Sequence, residues 1–335
     1  MTSREIIRRV LACDHPPRIG LTFSAHEGTP RISDVVGVGP AADPGLTERR
    51  WHDEAGGECW TDEWGCTWRR LPGKTKGGET VETPIRTWDD LASYTPPTVA
   101  DPFRYVQAAK SRSEHPDHYC LGGITACAFD RARYLRGLET YLEDCAAEPA
   151  RVRQLNDLVS DVVIAQVDAY ADLGADGVMF CEDWGTQDRL LVSPAMWRAM
   201  FRPYFERLVT HAHARGLTVW MHSCGYVCDI VPDLVEVGVD VLQFDQPDLH
   251  GIDALAKYAG RVTYWCPVDI QRTLQSGNEE TIRAKAREMV EKLGAPGGGF
   301  IAKDYPDEFS IGADPRWQQW AYETFVDSGR YEQGP

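Results

Sequence analysis

The chain of 335 residues is 43% hydrophobic and 26% charged, which supplies a large core and excludes a compositionally disordered protein. Its formal charge of −16 and pI near 5.0 exclude a broad polyanion-binding face, because phosphate contacts need clustered lysine and arginine; nucleic acid is not an expected partner. No uncharged run approaches the roughly 20 apolar residues of a membrane span. The start, MTSREIIRRV, lacks a signal-peptide core, so no membrane association and a cytoplasmic location are expected. Ten cysteines, scattered and without an export signal, read as reduced thiols.

In chain order, RIGLTF (18–23) and YCLGGIT (119–125) read as strands. The stretch 36–100 between them is rich in Gly, Trp, Pro and charge, and reads as an insertion after the first strand. It is expected to contain β-hairpins and to serve as a lid or interface within a single domain spanning 1–335. From about residue 150, amphipathic stretches alternate with short apolar runs: DGVMFCEDWG (176–185), LTVWMHSCG (217–225), VDVLQFDQP (239–247), RVTYWCPVD (261–269) and GGGFIAKDY (297–305). SPAMWRAMFRPYFERLVTHAHARG between two of them opens on an S-P helix start and closes on glycine. Strand and helix alternating at this spacing predict an α/β fold, a (β/α)8 TIM barrel.

Active sites of such barrels lie at the carboxyl ends of the strands. Those ends here carry Cys181, Glu182 and Asp183; His222 and Cys224; Asp245; Cys266; and Lys303, Asp304 and Tyr305. His222 and Cys224, two apart where a strand gives way to glycine, aim an imidazole and a thiolate at one point, as zinc requires. Asp245 and Cys266 close the next two strands and complete a candidate mixed N, S, O ligand set with one accessible position. The bland alternatives are a helix cap for Asp245 and a small apolar strand residue for Cys266. Glu182 and Asp183 are candidate proton-transfer acids, with Tyr305 as a further catalytic group. Trp184, Gln187 and Lys303 are candidate substrate contacts. Arg131, Arg133 and Arg136 lie at helical spacing and read as a solvated face in preference to an anion site.

With these residues assembled, the chain resembles the uroporphyrinogen decarboxylase superfamily, which also holds zinc-dependent methyltransferases acting with corrinoid proteins or coenzyme M. The resemblance runs through DEWGCTWRR, YLRGLE, GADGVMFCEDWGTQDRLLVSPAMWRAMFRPYFERL, HSCG, IVPDLVEVGVDVLQFDQP and VDIQRTL. It implies a (β/α)8 barrel. The decarboxylases carry an arginine-rich RQAGR segment that holds a porphyrinogen's carboxylates, whereas this chain reads HPPRIGLTFSAHEG there. The methyltransferases bind zinc through an H-x-C pair, an acid on the next strand and a later cysteine. His222, Cys224 and Asp245 match the first three positions, but FIAKDYPDE places Tyr305 where the late cysteine belongs. Either Cys266 replaces the missing thiolate from a neighbouring strand, or the metal has fewer protein ligands, or the site has lost its metal and changed chemistry; a retained metal is the expectation.

The resulting expectation is a zinc-dependent methyltransferase or demethylase that moves a methyl group between a corrinoid or small-molecule donor and a thiol or similar nucleophile. Its expected partners are a small-molecule substrate, a corrinoid protein and, in a homodimer, a second copy of the chain. The alternatives are a decarboxylase of a small carboxylic acid or tetrapyrrole-like substrate, and a non-catalytic corrinoid or metallophore binder.

Overall fold

The computed structural model describes every residue except 27, 44–45, 47–48, 72–76, 295–296 and 332–335. Twelve strands follow one another among these residues: β1 (Gly20–Thr22), β2 (Val35–Val38), β3 (Arg50–His52), β4 (Glu58–Thr61), β5 (Thr67–Arg70), β6 (Glu79–Glu82), β7 (Tyr119–Gly123), β8 (Gly177–Cys181), β9 (Thr218–His222), β10 (Val241–Gln243), β11 (Thr263–Cys266) and β12 (Phe300–Lys303). Eight form one sheet in the order β1-β12-β11-β10-β9-β8-β7-β2, with each neighbouring pair parallel. Its two edges meet where the Asp34 N–H donates to the Leu21 carbonyl at 2.7 Å and Thr22 bridges Ser33. The expected (β/α)8 barrel is the fold.

Side chains alternate across each barrel strand, because successive residues of extended backbone face opposite ways. Trp220, Val241 and Ile301 pack in the barrel interior with Tyr119 and Leu121, whereas Val219, Met221, Leu242, Phe300 and Ala302 face the helices. The helix Ser3–Ala12 begins at Thr2, whose side chain accepts the Glu5 N–H, and presents Ile6, Ile7 and Val10 to the interior cluster. Arg4 and Arg8 both reach Asp176 at 2.8 Å, just before β8 begins. This helix therefore stoppers the amino-terminal end of the barrel and leaves the carboxyl-terminal mouth open.

The stretch 36–100 differs from expectation at its start, since Val35–Val38 is the second barrel strand and the insertion follows it. β3 to β6 form an antiparallel four-stranded meander, as the hairpin reading anticipated; residues 44–45, 47–48 and 72–76 of the stretch lie outside the described residues. The meander packs on the helix Phe129–Arg136: Cys66 donates to the Tyr134 carbonyl at 3.4 Å, and Trp68 meets the Tyr134 ring edge-on at 4.8 Å. The three arginines of that helix are committed rather than solvated. Arg131 pairs with Asp62 at 3.0 Å, Arg133 with Asp130 at 2.7 Å and Arg136 with Asp144 at 2.8 Å. No helix among the described residues is long and apolar enough to cross a membrane.

Candidate metal centre

β9 ends on His222, an inward-facing position, and the chain then leaves the barrel rim through Ser223, Cys224 and Gly225. This loop crosses the one after β8 at very close range. A Cβ on Gly225 would fall 2.1 Å from the Gly185 carbonyl oxygen, and Gly225 has φ +76, so only glycine fits the crossing. The Tyr226 N–H donates to the Thr186 carbonyl at 2.7 Å, fastening the two loops together. As a result Asp183 comes to lie against the His-Cys pair.

His222 Nε2 is 3.2 Å from the Cys224 sulfur and 3.7 Å from Asp183 Oδ1, which also accepts the Cys224 backbone N–H at 2.8 Å. Ligand atoms of Asp183, His222 and Cys224 all lie within 4.8 Å of one another. On the far side of the imidazole, Nδ1 contacts Gln243 Oε1, and Gln243 Nε2 donates to Asp245 Oδ1 at 2.7 Å. Lys303 donates to the same Asp245 oxygen at 2.9 Å. A carboxylate only accepts, so Asp245 turns the Gln243 amide nitrogen toward itself and its oxygen toward His222. His222 must then hold its proton on Nδ1, which leaves the Nε2 lone pair facing Cys224 and Asp183.

The electrostatics of the mouth suit a cation. Burial pushes the Cys224 thiol well up, and the charges of Asp183 and Asp245 push it further. Cys181, paired in register with His222, is raised to about 12 by desolvation and by Asp183, Asp130 and Asp245. Burial also acts to raise Asp245, but Lys303 and His222 outweigh it and hold this carboxyl below its ordinary value. An imidazole lone pair, a thiol and a carboxylate converging in a field of acidic groups form a donor set that fits a zinc ion.

The other expected site residues divide by strand face. Cys266 is not with the cluster: Trp265 faces the barrel interior, so Cys266 is turned into the helix layer, fully buried and raised to about 12 by desolvation. Asp245 is committed to Gln243 and Lys303 instead of joining the three clustered ligands. Glu182 and Asp183, adjacent in sequence, point apart. Glu182 is fully buried, accepts the Cys127 N–H at 2.9 Å and the Ala128 N–H through Oε1, and leaves Oε2 unpaired. Burial first, and then Asp130, push its carboxyl up to about 8.

Trp184, expected as a substrate wall, is fully buried; it stacks on Phe129 at 4.0 Å and meets Phe201 edge-on at 4.7 Å. Gln187 is exposed in the turn between the bridged residues Gly185 and Leu190. Tyr305 is half-buried, and its phenol is raised by burial and by the charges of Asp245 and Cys224. Two residues join the site that the sequence reading did not name. Gln243 orients the imidazole, and Asp130 accepts the Asp183 backbone N–H at 3.1 Å while paired to Arg133.

A family profile described as Uroporphyrinogen decarboxylase (URO-D) matches residues 65–303. No curated protein matches the chain in sequence. Among solved structures, a methyltransferase from Methanosarcina mazei superposes with a TM-score of 0.62 at 16% identity, over 79% of this chain and 76% of that one. A B12-independent methionine synthase from Shewanella sp. W3-18-1 gives 0.45 at 10% identity, over 67% of this chain and 65% of that one. A D-psicose 3-epimerase gives 0.43 at 12% identity, over 72% and 86%.

Proposed function

Because the chain belongs to the uroporphyrinogen decarboxylase family, matched over most of its length, we propose that it is a zinc-dependent methyltransferase or demethylase. The observation that carries this reading is the imidazole of His222, fixed by Gln243 with Nε2 turned to Cys224 and Asp183. His222, Cys224 and Asp183 would hold the metal. Zinc bound there would supply Lewis acidity, lowering the pKa of a soft nucleophile such as a thiol so that it attacks a methyl donor near neutral pH.

The remaining work falls to the chain itself. The position of Asp183 is held by its contacts with the Cys224 N–H and with Asp130. Lys303 keeps Asp245 ionised beneath the imidazole, and Tyr305 offers a hydroxyl at the rim. The methyl donor we propose is a corrinoid protein or a methylated small molecule presented at the barrel mouth. The M. mazei methyltransferase is a fold-level likeness consistent with this choice. A decarboxylase would need a free cation for the substrate carboxylate, and Lys303 is already paired with Asp245.

Metal analysis of the purified chain tests the reading. One zinc per chain is expected, lost in His222→Ala and in Cys224→Ser and retained in Cys266→Ala. Full zinc content in the His222 and Cys224 variants would end it.

A further inference from the structure

The barrel holds a cavity of about 520 Å³ lined from β1, β2, β7, β8, β11 and β12, within the ~300–1,000 Å³ typical of small-molecule sites. Its wall is made largely of apolar side chains, among them Phe23, Val35, Leu121, Met179 and Trp265. Lys303 lines it and also donates to Asp245, which joins the cavity to the network behind His222.

The charges of this wall are already balanced. Its charged residues among the described ones are Lys303 and Asp304. Lys303 is 2.9 Å from Asp245 and lies over the Trp265 ring at 5.3 Å. Asp304 is buried, accepts the Ser24 N–H at 3.0 Å and lies 3.9 Å from Arg31. A substrate carboxylate entering here would be desolvated without an unpaired cation to meet it, which is costly. A neutral body would lose little.

The geometry points to a neutral, predominantly apolar methyl-bearing molecule, such as an aromatic methyl ether, as the occupant of this cavity. A carboxylated occupant is disfavoured by the same wall. The methyl group in this assignment rests on the methyl-transfer reading above; the neutrality rests on the wall alone.

The test compares two probes of matched size, 4-methoxybenzyl alcohol and 4-methoxybenzoate, by titration calorimetry on the full chain. It is run on zinc-loaded and on metal-stripped protein, with no methyl acceptor present. Saturable binding of the alcohol, about tenfold or more tighter than the benzoate, is expected in the metal-stripped protein, where no zinc can meet the carboxylate, since burying an unpaired charge costs more than a hydroxyl. A blocking variant controls for the location. Gly37 lines the cavity, and a Cβ built on it meets nothing within 4 Å, so Gly37→Phe should fill the space without disturbing the barrel and weaken the alcohol at least about tenfold. Benzoate binding the metal-stripped protein as tightly as the alcohol, no binding of either probe, or alcohol binding unchanged in a folded Gly37→Phe protein would each overturn the assignment. Zinc content, measured on the same samples, reports separately on the metal reading.

Discussion

Gln243 is the residue on which the metal reading turns, although it is not itself a ligand. It is buried between an imidazole and a carboxylate, and its amide has one orientation that satisfies both. Replacing it with leucine keeps the volume close and removes the tautomer lock. Gln243→Leu is expected to weaken zinc binding by about 10–100-fold, the usual effect of losing the group behind a ligating histidine, with little change in thermal stability. Competition against a chelator of known affinity measures it, and unchanged affinity would refute the positioning role. The same period of two that makes Gln243 legible, two residues before Asp245 on one face, would have excluded Cys266. It did not, because TYWC holds a single polar residue, Thr263, followed by three apolar ones, which is too little alternation to give a phase. The neighbouring strand and helix layers decide that Trp265 faces in and Cys266 faces out.

Among the elements, the loops after the strands carry more of the site than the strands do. The crossing of Gly185 over Gly225 brings Asp183 to the His-Cys pair, and no sequence spacing announces a contact between loops some 40 residues apart. β2 was equally hard to read, since VVGV is short, interrupted by glycine and followed at once by the polar insertion. The short helix Pro247–His250 after β10 offers a measurable consequence of loop packing. His250 is buried against Phe244 at 4.4 Å, both ring nitrogens lack partners, and desolvation lowers its pKa to about 4. Above the unfolded value near 6.5 neither state binds the proton, so the group has no effect on stability there. As pH falls from about 6.5 toward 4, the unfolded chain takes up a proton that the native state refuses, and stability declines by up to ~3 kcal/mol. His250→Phe should therefore raise the melting temperature at pH 5 relative to the parent and change it much less at pH 8. An equal shift at both pH values would mean that packing, not proton linkage, governs this position.

At the scale of the whole molecule, the two ends of the barrel do different work. The carboxyl-terminal mouth gathers ionisable groups, while the amino-terminal end is sealed by one amphipathic helix. Its amphipathic character is plain in SREIIRRVLA, with Ile6, Ile7 and Val10 on one side. Its destination is not, because the partners Tyr119, Trp220, Val241 and Ile301 come from four strands spread over most of the chain. The β/α alternation made the barrel legible; its stopper depends on non-local contacts that leave no local pattern. Ile7 is the deepest test of that seal, being fully buried, with its Cδ1 2.7 Å from where a Cβ on Gly20 would sit. Glycine at position 20 is what lets the helix approach β1. Truncating Ile7 to alanine leaves a cavity that the surrounding rigid strands cannot close, and a loss of about 2–5 kcal/mol is expected in urea unfolding. Zinc stoichiometry should be unchanged, since the metal ligands stand at the opposite end of the strands. A cost under about 0.5 kcal/mol, the range of an ordinary surface substitution, would show that the helix merely caps the barrel without contributing to its core.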